Sequence, residues 1–142
     1  MTIPSDRRAE LLGAAPLFAD VDADGLQRIA ARTVEVAFTD GHVIARQGEI
    51  GAGFFLIASG GGRVVRDGQE AASLGPGEFF GELSILDGKP RTAQVVAAGP
   101  TVCLALASWD FEAVVAEEPA VAMAVLRALA SRLRSLTESQ RH

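Results

Sequence analysis

A carboxylate and a guanidinium, Glu82 and Arg91, stand nine residues apart in the run from Phe79 to Ala93. Around them lie Phe80, Gly81, Leu83, Ser84, the Asp87-Gly88 turn, Lys89, Pro90, Thr92 and Ala93. A short helix starting just after Gly81 leaves its first backbone N–H groups without intrahelical partners. Such groups favour an anion through hydrogen bonding and the local dipole. Arg91 adds a two-pronged, charge-assisted contact to phosphate oxygens, on the order of 1.5–3 kcal/mol per bond where water is excluded. A carboxylate beside a phosphate is repulsive unless it has a donor of its own, and a ribose hydroxyl is such a donor. The run therefore suits a small anion carrying a sugar hydroxyl. The structural alternative is a solvated turn carboxylate at Glu82 and a surface arginine at Arg91, or the two paired with each other. That pairing in the ligand-free state is compatible with either reading.

The elements around this run form a helix–sheet–helix order. Ala9–Ala14 is a short helical candidate stopped by Pro16, with Leu17 and Phe18 as an apolar anchor. Asp22 or Asp24 caps a helix running to about Arg32, with Leu26, Ile29 and Ala30 inward. The period then drops to two: Val34, Val36 and Phe38 alternate with Glu35 and Ala37. Further strands are predicted at His42–Arg46, Gly53–Ser59, Arg63–Asp67, Gln69–Leu74, Thr92–Ala98 and Thr101–Leu106. They are separated by turn signals such as Asp40-Gly41, Gly60-Gly61-Gly62, Asp67-Gly68 and Gly99-Pro100. Short strands at this spacing imply a mainly β domain, an antiparallel barrel or jelly roll with flanking helices. Ser108 is expected to cap a helix over Trp109–Ala116. Pro119 opens a second helix to about Ser139, with Val125, Leu129, Leu133 and Leu136 in an apolar stripe and Arg127, Arg132, Arg134 and Glu138 largely off it.

Bulk properties narrow the function classes. At 142 residues, 49% hydrophobic and 22% charged, the chain is one domain and not a disordered segment. A net charge of −5 argues against a general nucleic-acid binder, which needs a basic face. It leaves room for one local anion site. A single cysteine cannot form an internal disulfide, and no signal peptide or apolar run of membrane-spanning length is visible, so the chain reads as cytoplasmic. Twelve arginines against one lysine, with abundant alanine, reflect genomic composition rather than function.

The run from Phe80 to Ala93 resembles the phosphate-binding cassette of the cyclic nucleotide-binding domain family. The match is Phe80-Gly81-Glu82-Leu83, then Ile85 and Leu86, then Pro90-Arg91-Thr92-Ala93. Asp40-Gly41, Gln47-Gly48-Glu49, Phe55-Leu56-Ile57, Ser59-Gly60 and Leu74-Gly75-Pro76-Gly77-Glu78-Phe79 fall where the family has its strand-turn glycines. The resemblance covers roughly residues 16 to 136, leaving residues 1–15 as an N-terminal helical extension.

The resemblance implies a β-roll over about residues 34–107, with N-terminal helices. C-terminal helices follow over about 108–139, the last folding over the bound base as a lid. It implies cyclic AMP or cyclic GMP as ligand, with no cofactor and no metal. Glu82 would take the ribose hydroxyl and Arg91 the phosphate, while Gly81, Leu83 and Ser84 would offer backbone N–H groups. Thr92 and Ala93 would lie beside the phosphate, and Thr92 leaves cyclic GMP open. Phe80 and Val64 match positions that contact ribose and base, and are equally read as core. Thr137 lies near where bacterial transcription-factor relatives place a polar residue against the adenine, with Leu136 and Arg134 one to three residues away. The stripe on the last helix would pack on the roll or pair with a second copy as a homodimer. A free-standing domain would otherwise signal to an effector protein in trans. Bacterial relatives often carry a helix-turn-helix after the lid. This chain ends before one would fit, so DNA binding by this chain alone is not expected, nor is membrane contact.

Two other function classes lack the residues they need. A cupin needs at least two histidines and a carboxylate on one metal. His42 and His142 are the only histidines and have no ligand-spaced cluster. Enzymatic catalysis finds no Ser/His/Asp set, paired carboxylates or Walker loop. A non-binding or altered-ligand interaction module on the same roll is the main alternative. Cys103 alternates with Val102 and Leu104 and reads as buried, and Trp109 reads as a packing anchor.

Overall fold

The structure, a computed structural model, describes residues 2–48, 53–81 and 90–139. Helix α1 spans Ser5–Ala14 and is followed by a 3-10 turn at Pro16–Phe18 and helix α2 at Ala23–Arg32. Asp22 is the cap of α2, its Oδ1 accepting from the Gly25 N–H at 2.7 Å. Such a cap stabilises a helix by about 1 kcal/mol. Helix α1 begins earlier than its apolar pattern suggested. Arg8 explains this: it donates to the carbonyls of Ile3 and Thr33, so tertiary contacts hold a polar first turn in place.

Among the described residues eight strands follow: β1 Val34–Phe38, β2 Val43–Ala45, β3 Gly53–Ser59, β4 Gly62–Arg66, β5 Gln69–Leu74, β6 Phe79–Phe80, β7 Gln94–Ala97 and β8 Thr101–Ala107. They form two four-stranded antiparallel sheets, ordered β1-β8-β3-β6 and β2-β7-β4-β5. This is the β-roll. Helices α3, Ser108–Glu117, and α4, Pro119–Ser139, complete the described chain.

Several boundaries depart from the pattern-based reading: β2 is shorter by one residue at each end than the expected His42–Arg46, and β4 lies one residue before the expected Arg63–Asp67. Strand β7 starts at Gln94 rather than Thr92, because Thr92 and Ala93 are bent out of the ladder. Strand β6, only two residues long, was not anticipated. Ser108 is not a cap: β8 continues to Ala107, which pairs with Gly53, and Ser108 already belongs to α3. The N-cap is Ala107, whose side chain supplies no hydrogen bond.

Strand β3 is apolar on both faces because each face meets a different core. Phe54 and Leu56 point to the helices, where Leu12, Phe18, Ile29, Leu104, Leu106, Phe111, Val114 and Val121 complete one cluster. Phe54 stacks on Phe111 at 5.1 Å and meets the edge of Phe18 at 5.7 Å. Ile57 points into the roll with Ala45, Phe80, Val95 and Cys103. Burial of several fully enclosed aromatic and aliphatic side chains, about 1.5–3 kcal/mol each, fastens the helical layer to the outside of the roll. Leu12 of α1 belongs to that same cluster.

Helix α4 divides in two. Val121 and Val125 are buried against the core, whereas Leu126, Leu129, Leu133 and Leu136 are exposed. Its root is fixed by charge. Arg28 of α2 donates through Nε and Nη2 to Glu118 Oε1 at 3.0 and 2.8 Å, and Arg32 bonds Asp110 and Glu117. Glu118 is only 9% exposed, and its carboxylate raises the Arg28 pKa further above its ordinary value.

Candidate functional site

Arg91 sits in the irregular segment that leads into β7. Its carbonyl accepts from the Gly48 N–H at 2.8 Å, which ties this segment to the chain leaving β2. The half-buried side chain reaches β3, where Nη2 donates to the Gly53 carbonyl oxygen at 3.0 Å. Gly81 packs against the same oxygen. Its φ is +103°, and a β-carbon there would collide with that oxygen. Only glycine fits both the backbone conformation and the space.

Arg91 also lines a cavity of about 380 Å³ at the end of the roll, between the β1-β8-β3 sheet and β2. Its walls include Val34, Phe55 and Ala105, the Gly53 backbone, and a second arginine, Arg46. Two guanidiniums against a largely apolar wall suit an anion with an apolar or aromatic body. Charge-assisted bonds at such a wall are stronger than in open water. Arg46 was not singled out from the sequence, where it is one basic residue at the end of the expected strand His42–Arg46. Its place beside Arg91 comes from the pairing of β2 with β7, which no local pattern encodes.

The other anticipated residues divide into four groups. Phe80 is buried in the roll and stacks on Phe55 at 5.2 Å; Val64 is half-buried, opposite Ala72 and Val95, and packs against the same cluster. Thr92 is exposed beside Arg91 and Ala93 is half-buried. Glu82, Leu83 and Ser84 lie outside the described residues. Thr137 stands apart, exposed on α4 with its hydroxyl donating to the Leu133 carbonyl. It lines a shallow groove with Leu133, Arg134 and Glu138 of its own helix, none of which borders the Arg91 cavity.

Among the described residues no group of three His, Cys, Asp or Glu side chains could hold a metal ion. Cys103 is fully buried, and burial pushes its thiol up from 9.0 to about 11. His42 lies against Phe38, ring centroids 5.2 Å apart. Trp109, read from sequence as a packing anchor, is 72% exposed. No helix among the described residues is long and apolar enough to cross a membrane.

Comparison with known proteins adds four findings. The model of the cyclic nucleotide-binding domain matches residues 35–118. The chain is 43% identical over 102 residues to the cyclic AMP receptor protein of Thermus thermophilus, covering 68% of this chain and 47% of that protein. It is 32% identical over 130 residues to a CRP-like cAMP-activated global transcriptional regulator of Mycobacterium tuberculosis, covering 88% of this chain and 58% of the relative. The chain thus spans about half the length of the curated relatives it matches. Among solved structures, the catabolite activator protein of Thermus thermophilus superposes with a TM-score of 0.81 at 36% identity, over 89% of this chain and 62% of that one.

Proposed function

The chain belongs to the cyclic nucleotide-binding domain family, and from that premise we propose that it is a regulatory module, not an enzyme, whose ligand is cyclic AMP or cyclic GMP. Cyclic AMP is the preferred assignment, since both relatives described above carry it in their names. In this reading Arg91 takes the cyclic phosphate, Glu82 the ribose 2′-hydroxyl, and the backbone N–H groups of Gly81, Leu83 and Ser84 the remaining phosphate oxygens. Thr92, Ala93, Phe80 and Val64 flank phosphate, ribose and base, and Thr137 meets the base when α4 moves.

The observation that carries the reading is the half-buried Arg91 guanidinium at the wall of a 380 Å³ cavity, at the family's arginine position. A ligand moves α4 only by as much as it binds the two arrangements differently. The exposed Leu126, Leu129, Leu133 and Leu136 support an output through a second copy of the chain or an effector protein laid on that face.

An altered-ligand module is the second reading. It draws on the Arg91–Gly53 hydrogen bond, which already gives the guanidinium an internal acceptor. Isothermal titration with cyclic AMP, cyclic GMP and 5′-AMP in parallel separates the two. Saturable binding of a cyclic nucleotide, with 5′-AMP weak, is expected. No heat with either, and a melting temperature unmoved by both, would leave the second reading standing.

A further inference from the structure

We infer that Arg46 is a second cation of this site, placed at its mouth to draw the anionic ligand in, while Arg91 holds it. The inference rests on the proposed cyclic nucleotide reading and deepens it.

Arg46 is carried by a segment that is fixed on three sides. Before it, Ala45 is buried and opposite Val95 of β7. After it, Gln47 makes a reciprocal clasp with the β4–β5 turn. Its Nε2 donates to Asp67 Oδ1 at 2.8 Å, and its Oε1 accepts from the Asp67 N–H at 3.0 Å. Gly48 then donates to the Arg91 carbonyl. The clasp gives the Asp67 carboxylate an amide partner. Among the described residues Arg46 makes no ion pair; it is exposed and lines the cavity that Arg91 lines from within.

The positions of the two arginines assign different tasks. An exposed charge at a rim acts chiefly on association rate and its salt dependence, whereas a more enclosed charged contact acts on dissociation. The molecule as a whole carries −5 and repels an anion at long range. A guanidinium at the opening opposes that field locally, and such focusing raises on-rates by about tenfold or more.

The test is stopped-flow binding of a base-labelled fluorescent cyclic AMP derivative at about 10 mM and about 1 M salt, where charges are screened beyond about 30 Å and 3 Å. The proteins are the wild type, Arg46→Ala, Arg46→Lys, and Arg66→Ala as an exposed control on β4. At low salt Arg46→Ala should associate about 3- to 10-fold more slowly than wild type, with dissociation changed less than about twofold. At high salt the two should converge. Arg46→Lys should keep most of the rate, and Arg66→Ala all of it. Equal association rates at low salt, or a loss of the same size at high salt, would overturn the inference; the second pattern would mark Arg46 as structural. A wild type that binds neither cyclic AMP nor cyclic GMP in calorimetry overturns both this inference and the reading beneath it. Normal binding with an unaffected Arg46→Ala removes the inference alone.

Discussion

Arg91 and Gly53, 38 residues apart in sequence, are joined by a hydrogen bond of 3.0 Å from the guanidinium to the carbonyl oxygen. That oxygen begins β3, the strand shared by both cores, and it is also the atom against which Gly81 packs. The start of the cassette, the arginine that ends it and the central strand are therefore referred to a single point.

Arg91→Ala should lower affinity for a cyclic nucleotide by tens- to thousands-fold, the range expected for losing an enclosed charge-assisted contact of about 2–4 kcal/mol. Far-ultraviolet circular dichroism should be unchanged, since the lost bond to Gly53 is one of many that hold β3. Unchanged affinity in calorimetry would remove Arg91 from the site.

Gly81→Ala should destabilise the fold by about 2–4 kcal/mol, combining a positive φ with a backbone collision. Gly77→Ala isolates the first term. Its φ is +89°, but a β-carbon there meets nothing within 4 Å, so about 1–2 kcal/mol is expected. Urea unfolding of both variants measures the difference. Equal losses would mean that the contact with Gly53 relaxes freely.

If Glu82 accepts the ribose hydroxyl, 2′-deoxy cyclic AMP should bind at least about 10-fold more weakly than cyclic AMP, the cost of a buried acceptor left unmet. Competition against a labelled cyclic nucleotide reads this directly. Equal potency would remove that role.

Arg28→Ala should lower the urea midpoint more than Arg7→Ala. Both arginines pair with a glutamate, but Glu118 is 11% exposed in its side chain whereas Glu10 is 68% exposed. Removing Arg28 leaves an enclosed carboxylate without its counter-charge, the costly way to break an ion pair, while exposed pairs contribute little. Midpoints that shift equally would show Glu118 to be rescued by water.

Cys103 should be inert to thiol reagents at pH 8 in the folded protein and reactive in urea. Its thiol is pushed from 9.0 to about 11 by burial, so the native state holds the proton to higher pH than the unfolded chain. The stability this contributes is complete below pH 9 and is lost as pH rises toward about 11. Unfolding at pH 8 and pH 10.5 should show an alkaline loss that Cys103→Ala lacks in part.

Much of the roll was readable locally. Strands β3 and β5 fall on the expected residues, because Phe54 to Ile57 is too apolar for a solvated segment and the Asp67-Gly68 turn, with Asp67 at φ 52°, fixes the hairpin. What escaped was set by partners distant in sequence. Phe79 and Phe80 form a strand only because Phe55 and Leu56 pair with them. Ser108 lost its capping place because Gly53 extends β8 by one residue. At the site, Arg91 was legible from its motif and Arg46 was not, since Arg46 reaches the cavity through cross-sheet register. The outer half of the last helix carries the stripe expected of it, but only Val125 of the four named residues is buried.

Glu118 has two attachments. Its carboxylate belongs to Arg28, while its backbone carbonyl accepts from Val121 and its N–H donates to Val114. The bend between α3 and α4 is therefore pinned to α2 rather than left as a loose joint. A displacement of the long helix would therefore be passed through this pin to α2, and from α2 to the α1 packed against it.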